Sequence, residues 1–288
     1  MDAQLAAAEH FIDAHARPLE RHLFAARFHN GPATAVVDAL RVYRNPDGGF
    51  GHGLEPDTRC PDSLPIYAEV ALGALADAGA DAPELVEGAC DYLAGVSDGN
   101  GAVPLAFPVI EAHPRAEHWS EWTYRPDVNP TAGLVSLLYR LGAEHPWRET
   151  AAGYCWRYLE SEPTPDGVHS LWELLHFLEH VPDRERAERH APALLAHLVA
   201  QDMFHADADA PGYGLTPLHI APTPESPWRT AFTEAQIDAH LDHLSDGQEP
   251  DGGWPITWTP PGEEALAEWR GVVTLEAVRT LAAYGRLG

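Results

Sequence analysis

The sequence predicts an all-α fold, and three observations carry that reading. Apolar residues recur every three to four positions along most of the chain, strand-like alternation is absent, and prolines stand where first helical turns begin. In chain order, helices are expected around Leu5 to Ile12 and Leu19 to Phe28. Ala33, Val36, Val37 and Leu40 draw the next apolar stripe, followed by Tyr67, Val70, Ala71, Ala74, Leu75 and Ala78, and then by Val86, Ala89, Cys90 and Leu93. Leu134, Leu137, Leu138 and Leu141 begin a second group, which continues through Trp147 to Tyr158, Leu171 to Leu178, Ala191 to Leu198 and Ile237 to Leu244. Trp269, Val272, Val273, Glu276, Ala277 and Leu281 mark the stripe of the last and longest helix, for about eleven in all. Pro32, Pro65, Pro83, Pro130 and Pro146 fit first turns, and Asn129 reads as the cap ahead of Pro130.

Composition narrows the function. The 288 residues suffice for one large domain, read as residues 1–288, with a sizeable core. Every one of the 18 basic residues is arginine, against 44 acidic ones, for a net charge of −26. That balance argues against a nucleic-acid or anionic-membrane partner, and the absence of lysine excludes a Walker loop and a Schiff base. Cys60, Cys90 and Cys155 are too widely spaced for a zinc ribbon or a disulfide framework, so a reducing, cytoplasmic setting is expected. No signal peptide or membrane-spanning run is legible, and nothing calls for a cofactor or an assigned metal.

Helices run into Asp-Gly turns at Asp47, Asp98, Asp166 and Asp251, successive aspartates lying 51, 68 and 85 residues apart. The last interval has room for a degenerate unit near Asp209. A helix, a glycine turn and a second helix, repeated, describe a solenoid or a closed ring of hairpins. The two long stretches without periodicity, Gly99 to Asn129 and Asp202 to Thr233, are of a length that suits functional covers.

The turns Gln248-Glu249-Pro250-Asp251-Gly252-Gly253-Trp254 and Asn45-Pro46-Asp47-Gly48-Gly49-Phe50-Gly51 resemble the squalene-hopene cyclase-type repeat of terpenoid cyclases and protein prenyltransferase β subunits. The resemblance implies an (α/α)6 toroid around an apolar, aromatic-lined cavity, with a small hydrophobic or isoprenoid-like ligand. The family's catalytic signatures are missing. Asp207-Ala208-Asp209-Ala210 lacks the last carboxylate of an Asp-x-Asp-Asp acid, and Asp57-Thr58-Arg59-Cys60 is one residue longer than the Asp-x-Cys zinc motif. A noncatalytic ligand- or protein-binding toroid and a carbohydrate-active (α/α)6 enzyme are the alternatives.

Candidate residues follow from chemistry and clustering. His52, Glu55 and Asp57 lie in one glycine-bounded loop as an acid–base set, with Arg59 as an anion clamp. Trp254 and Trp258, with Glu268 and Arg270 further on, suit a pocket wall with a polar end. Trp122, Tyr124 and Asp127 suit a lid over a cavity mouth. His176 and His180 share a helical face with Glu173 one turn before, a pattern with some metal-binding character and an equally ordinary surface reading.

Overall fold

A computed structural model describes residues 2–161 and 167–287, and the main chain is all-α. Among the described residues twelve α-helices are present and strands are absent. They are α1 (Ala3–His15), α2 (Pro18–Phe28), α3 (Ala33–Arg41), α4 (Pro65–Ala78), α5 (Pro83–Val96) and α6 (Val128–Arg140), followed by α7 (Pro146–Ser161), α8 (Val168–His180), α9 (Arg184–Leu198), α10 (Pro217–Ile220), α11 (Glu234–Asp246) and α12 (Glu263–Ala283). The helix missing from the sequence reading is α10, whose single turn is too short to show a periodicity.

Local signals set many boundaries. Asp2 Oδ1 accepts the amide of Gln4 at 2.7 Å to open α1, and Thr233 with Gln236 forms a capping box on α11. Proline occupies the first turn of α2, α4 and α5. Asn129 is not the cap of α6. Asp127 caps it by accepting the Val128 amide at 2.7 Å, while Asn129 lies inside the first turn with non-helical torsions.

The even-numbered helices touch in chain order, α2 to α4, α4 to α6 and α6 to α8, and α12 packs against α2. Odd-numbered helices back them: α3 lies against α2 and α4, α7 against α6, α9 against α8, and α1 against both α2 and α12. Buried apolar side chains from these helices, such as Ile12, Leu40, Leu72, Leu134, Leu175 and Val278, form one continuous core. The chain's ends meet where Gln4 Nε2 donates to the Ser245 carbonyl at 2.7 Å and Gln248 Nε2 donates to the Gln4 carbonyl at 2.9 Å.

The acidic turns form one recurring device between an odd helix and the next even one. Asp47, Asp98, Asp207 and Asp251 each accept the amide two residues on, at 2.8 to 3.1 Å. The hidden unit therefore exists and is built on Asp207 rather than Asp209. The expected turn at Asp166 lies outside the described residues. Glycine is needed where these turns meet a helix: Gly48 sits over Gly88 of α5 and Gly252 over Ala7 of α1, both at positive φ. No helix among the described residues is long and apolar enough to cross a membrane.

Candidate functional site

Four long loops, each leading into an even-numbered helix, converge on Asp57. The indole N–H groups of Trp258 and Trp269 donate to Asp57 Oδ1 at 3.2 and 2.7 Å, and His118 Nε2 lies 3.2 Å from Oδ2. Asp57 is only 4% exposed, so these partners replace the water that a buried carboxylate would otherwise lose. Trp258 meets Trp269 edge to face with centroids 5.0 Å apart, and Tyr213 meets Trp258 in the same way at 5.6 Å. Tyr213 stacks on His169 and its hydroxyl pairs with His169 Nε2 at 3.0 Å. The loops of Asp57, His118, Tyr213 and Trp258 are thereby tied into one aromatic rim.

Beside that rim, α8, α10 and α12 carry further titratable groups, and His169 and Trp172 link the rim to His219. Glu276 on α12 and His219 on α10 are exposed to solvent, yet protein crowds them enough to shift both strongly. Burial pushes the Glu276 carboxyl up to about 7, and it drives the His219 imidazole down to about 4. Solvent contact combined with crowding by protein is the combination expected of a recess wall. His176 is driven to about 4 by burial, with the neighbouring His180 adding to the effect, and His169 is lowered by burial and then by His118. Each of these shifts favours the neutral imidazole. Trp172 joins them, with ring centroids 4.9 Å from His176 and 6.2 Å from His219. Among the described residues its indole N–H has no partner.

The most unusual chemistry is a carboxyl pair. Glu69 of α4 and Glu173 of α8 meet over Gly133 of α6, where a Cβ would come within 1.9 Å of Glu173 Oε2 and 2.1 Å of Glu69 Oε1. Burial raises both carboxyls, and the neighbouring Glu173 raises Glu69 further. Glu173 Oε2 is buried and lacks a partner if both groups are ionised, whereas a proton carried by Glu69 supplies the hydrogen bond between them. The raised direction of both carboxyls favours a proton shared between them. Beneath it, Asp77 of α4 accepts from Arg140 of α6 at 2.8 Å and from Arg279 of α12 at 2.5 Å, joining three helices near their C-terminal ends.

The expected site residues divide. Asp57, Trp258 and Glu268 belong to the rim region, the last clamping Arg59 through contacts of 2.5 and 3.3 Å. Arg59 also lies 3.3 Å from Glu264, so its charge is already matched by carboxylates, which corrects its reading as an anion clamp. Glu55 is 6% exposed and turns back on its own loop, accepting the Asp57 amide at 3.0 Å. Burial first and Asp57 second push its carboxyl well up. His52 faces away from this set. It is exposed at φ 61°, and its Nε2 pairs with Asn45 Oδ1 at 3.0 Å, so the left-handed turn aims the ring at its own loop.

Trp254 and Arg270 are also placed elsewhere. Trp254 is a buried wedge that donates to the Leu244 carbonyl at 2.7 Å, and Arg270 lies over Phe11 while pairing with Glu249 and Asp251. Both serve the turn between α11 and α12. Trp122 is 52% exposed and donates to the His118 carbonyl, Tyr124 donates to Glu111, and Asp127 is the α6 cap, so their contacts shape the loop rather than the recess. His180 Nδ1 lies 3.0 Å from Ser136 Oγ, which occupies one donor of the supposed His176–His180 metal face. Cys60, Asp62 and His113 do bring metal-ligating atoms within 4.8 Å of one another.

Sequence reasoning missed Glu69, Gly133, His169, Tyr213, His219 and Glu276. One signal was present: Glu69 and Asp77 are the only charged residues in an otherwise apolar α4. A surface cleft of about 390 Å³ beside Ile237, Leu241 and Tyr284 is separate from the recess, and its Arg229 and Arg286 are paired with carboxylates.

Comparison with known proteins adds to the fold alone. The chain is similar to a solved structure described as the crystal structure of a protein from Actinoplanes, with 20% identity and a TM-score of 0.54 over 96% of this chain and 89% of that one. No protein-family model and no curated protein matches the sequence.

Proposed function

We propose that the chain is a single domain, a ring of six helical hairpins, whose central recess performs acid–base catalysis on a small hydroxylated ligand such as a sugar ring. The observation that carries this reading is the close meeting of the Glu69 and Glu173 carboxyls over Gly133, both pushed up by burial. Packing of α2, α4, α6 and α8 in order, with α12 returning to α2, supports the ring. In a six-hairpin ring α12 stands across from α6, so Glu276 faces the pair. A proton-bearing pair and a second carboxyl that titrates near neutrality form an acid and base of matched strength. Glu69 and Glu173 are too close to be the two opposed carboxyls of a glycosidase, which stand roughly 5–10 Å apart, so they act as one group and Glu276 as the other.

The indole and phenol faces of Trp258, Trp269 and Tyr213 suit the apolar face of a sugar ring at the entrance. They also favour the second reading, an isoprenoid-like ligand of a terpenoid cyclase- or prenyltransferase-like protein, because such faces stabilise cationic character. Three deep carboxyls and three neutral imidazoles weigh toward the hydroxylated ligand, since a polar group left unpaired against hydrocarbon costs about 1–3 kcal/mol. Free, buried Cys60, Cys90 and Cys155 support a reducing, cytoplasmic setting.

The test is incubation with a panel of reducing disaccharides and chromogenic glycosides beside isoprenoid alcohols and diphosphates, with products read by mass spectrometry. Turnover of a sugar, lost by at least about 100-fold in Glu69→Gln without loss of folding, is the expected result. Conversion confined to isoprenoids selects the second reading. Binding without conversion, or turnover that Glu69→Gln leaves intact, overturns the catalytic assignment.

A further inference from the structure

Two of the rim loops are laced together by main-chain bonds. The Arg59 amide donates to the Pro114 carbonyl at 2.9 Å, the Ala116 amide donates to the Asp57 carbonyl at 2.8 Å, and Thr58 forms an antiparallel bridge with Arg115. This lacing sets Cys60 and Asp62 of the first loop beside His113 of the second. A thiol, a carboxylate and an imidazole consequently present their ligand atoms within 4.8 Å of one another. Cys60 Sγ lies 3.7 Å from Asp62 Oδ2. A tetrahedral centre with ordinary zinc–sulfur and zinc–oxygen bond lengths holds those two atoms about 3.6 Å apart.

Burial grades across the cluster, from the fully buried Cys60 through the half-buried His113 to the exposed Asp62. The three donors are therefore fixed from the protein side and open to water on the other. We propose that Cys60, Asp62 and His113 form a zinc-binding site, with water as the fourth ligand, that clamps the first rim loop to the second. The donor set selects the metal: sulfur and imidazole suit Zn²⁺, whereas Mg²⁺ and Ca²⁺ require oxygen. The site is separate from the recess. Asp57, the carboxylate that the Asp-x-Cys motif would recruit, is committed to Trp258, Trp269 and His118.

Burial pushes the Cys60 thiol up, so the sulfur carries its proton until a cation arrives. Binding then forms a Zn–S bond and releases that proton to solvent. The site rests on none of the acid–base groups of the recess, and its fate is independent of theirs.

The experiment uses the full chain, treated with a chelator and dialysed, then titrated with Zn²⁺ by calorimetry and with Co²⁺ by absorption. One equivalent per chain, a heat that varies with the ionisation enthalpy of the buffer, and a sulfur-to-cobalt charge-transfer band in the near ultraviolet are expected. Cys60→Ser removes the band. His113→Gln weakens Zn²⁺ binding by more than the roughly 10–100-fold that loss of an outer-shell partner costs. Cys90→Ser leaves both signals unchanged. Should Cys60→Ser fail to fold, His113→Gln and Asp62→Asn decide the matter, since both side chains reach solvent. Absence of binding by the unaltered protein, a band that survives Cys60→Ser, or Zn²⁺ affinity unchanged in His113→Gln overturns the site.

Discussion

Gly133 contributes one hydrogen where any other residue would contribute a side chain, and two carboxyls use that space. A Cβ there would press within 1.9 Å of Glu173 Oε2 and 2.1 Å of Glu69 Oε1. In most helix interiors a Gly-to-Ala change stabilises by about 1 kcal/mol through propensity. Here overpacking acts against it, at about 1–3 kcal/mol, so Gly133→Ala is expected to lower stability in urea denaturation and to part the two carboxyls. A stabilised Gly133→Ala variant would show that the pair is loosely seated. Glu276 is shifted for the related reason that protein has replaced much of its hydration while leaving it wet. Neither effect is visible in a list of residues, because each depends on what other helices bring alongside.

Between the residue and the molecule stand the acidic turns, which convert a local hydrogen bond into helix placement. Each aspartate closes its turn through the amide two residues on, and at Asp47 and Asp251 the following glycine lets the turn lie against a neighbouring helix. Gly252 has φ 94° and no room, since a Cβ would come within 2.2 Å of the Ala7 carbonyl oxygen. Gly262 has φ 138° and open space around it. The two separate backbone strain from contact. Gly262→Ala is expected to cost about 1–3 kcal/mol through torsion alone, and Gly252→Ala more, because α1 must also move. Equal losses in chemical denaturation would mean that the turn is not what joins the chain's ends. Trp254 and Arg270, which looked like pocket residues, are part of this same junction.

At the scale of the molecule, the shifted groups act on stability in opposite directions. Glu69, Glu173 and Glu276 bind protons more tightly when folded than their ordinary value of 4.5 allows, so their contribution is lost as pH rises from about 4.5 through their folded values. His176 and His219, driven from 6.5 to about 4, add stability as pH rises across that interval. Comparing variants separates the two. Glu276→Gln is expected to gain on the unaltered protein as pH rises from 4.5 to 7 and then level off. Because Glu276 is wetted, solvent screening reduces the gain to on the order of 1 kcal/mol, or roughly 2–4 °C in Tm. A difference in thermal melts that stays flat with pH would place Glu276 outside any crowded recess.

Sequence alone determined the helical class, most helix starts and the acidic turns, because these rest on interactions between residues a few positions apart. Asp57 and Trp258 stood out because each lies in a short stretch crowded with polar or aromatic residues, while Trp122 and Trp254, picked on the same ground, serve their own turns. Only the tertiary structure decided that His52 turns onto Asn45, that Asp57 gathers two indoles from the far end of the chain, and that Glu69 meets Glu173. The last two outcomes depend on which helices become neighbours across more than a hundred residues of chain, whereas His52 is set by the left-handed turn within its own loop. Proton affinity follows from that neighbourhood, because burial and nearby charge, rather than residue type, decide how readily a carboxyl ionises.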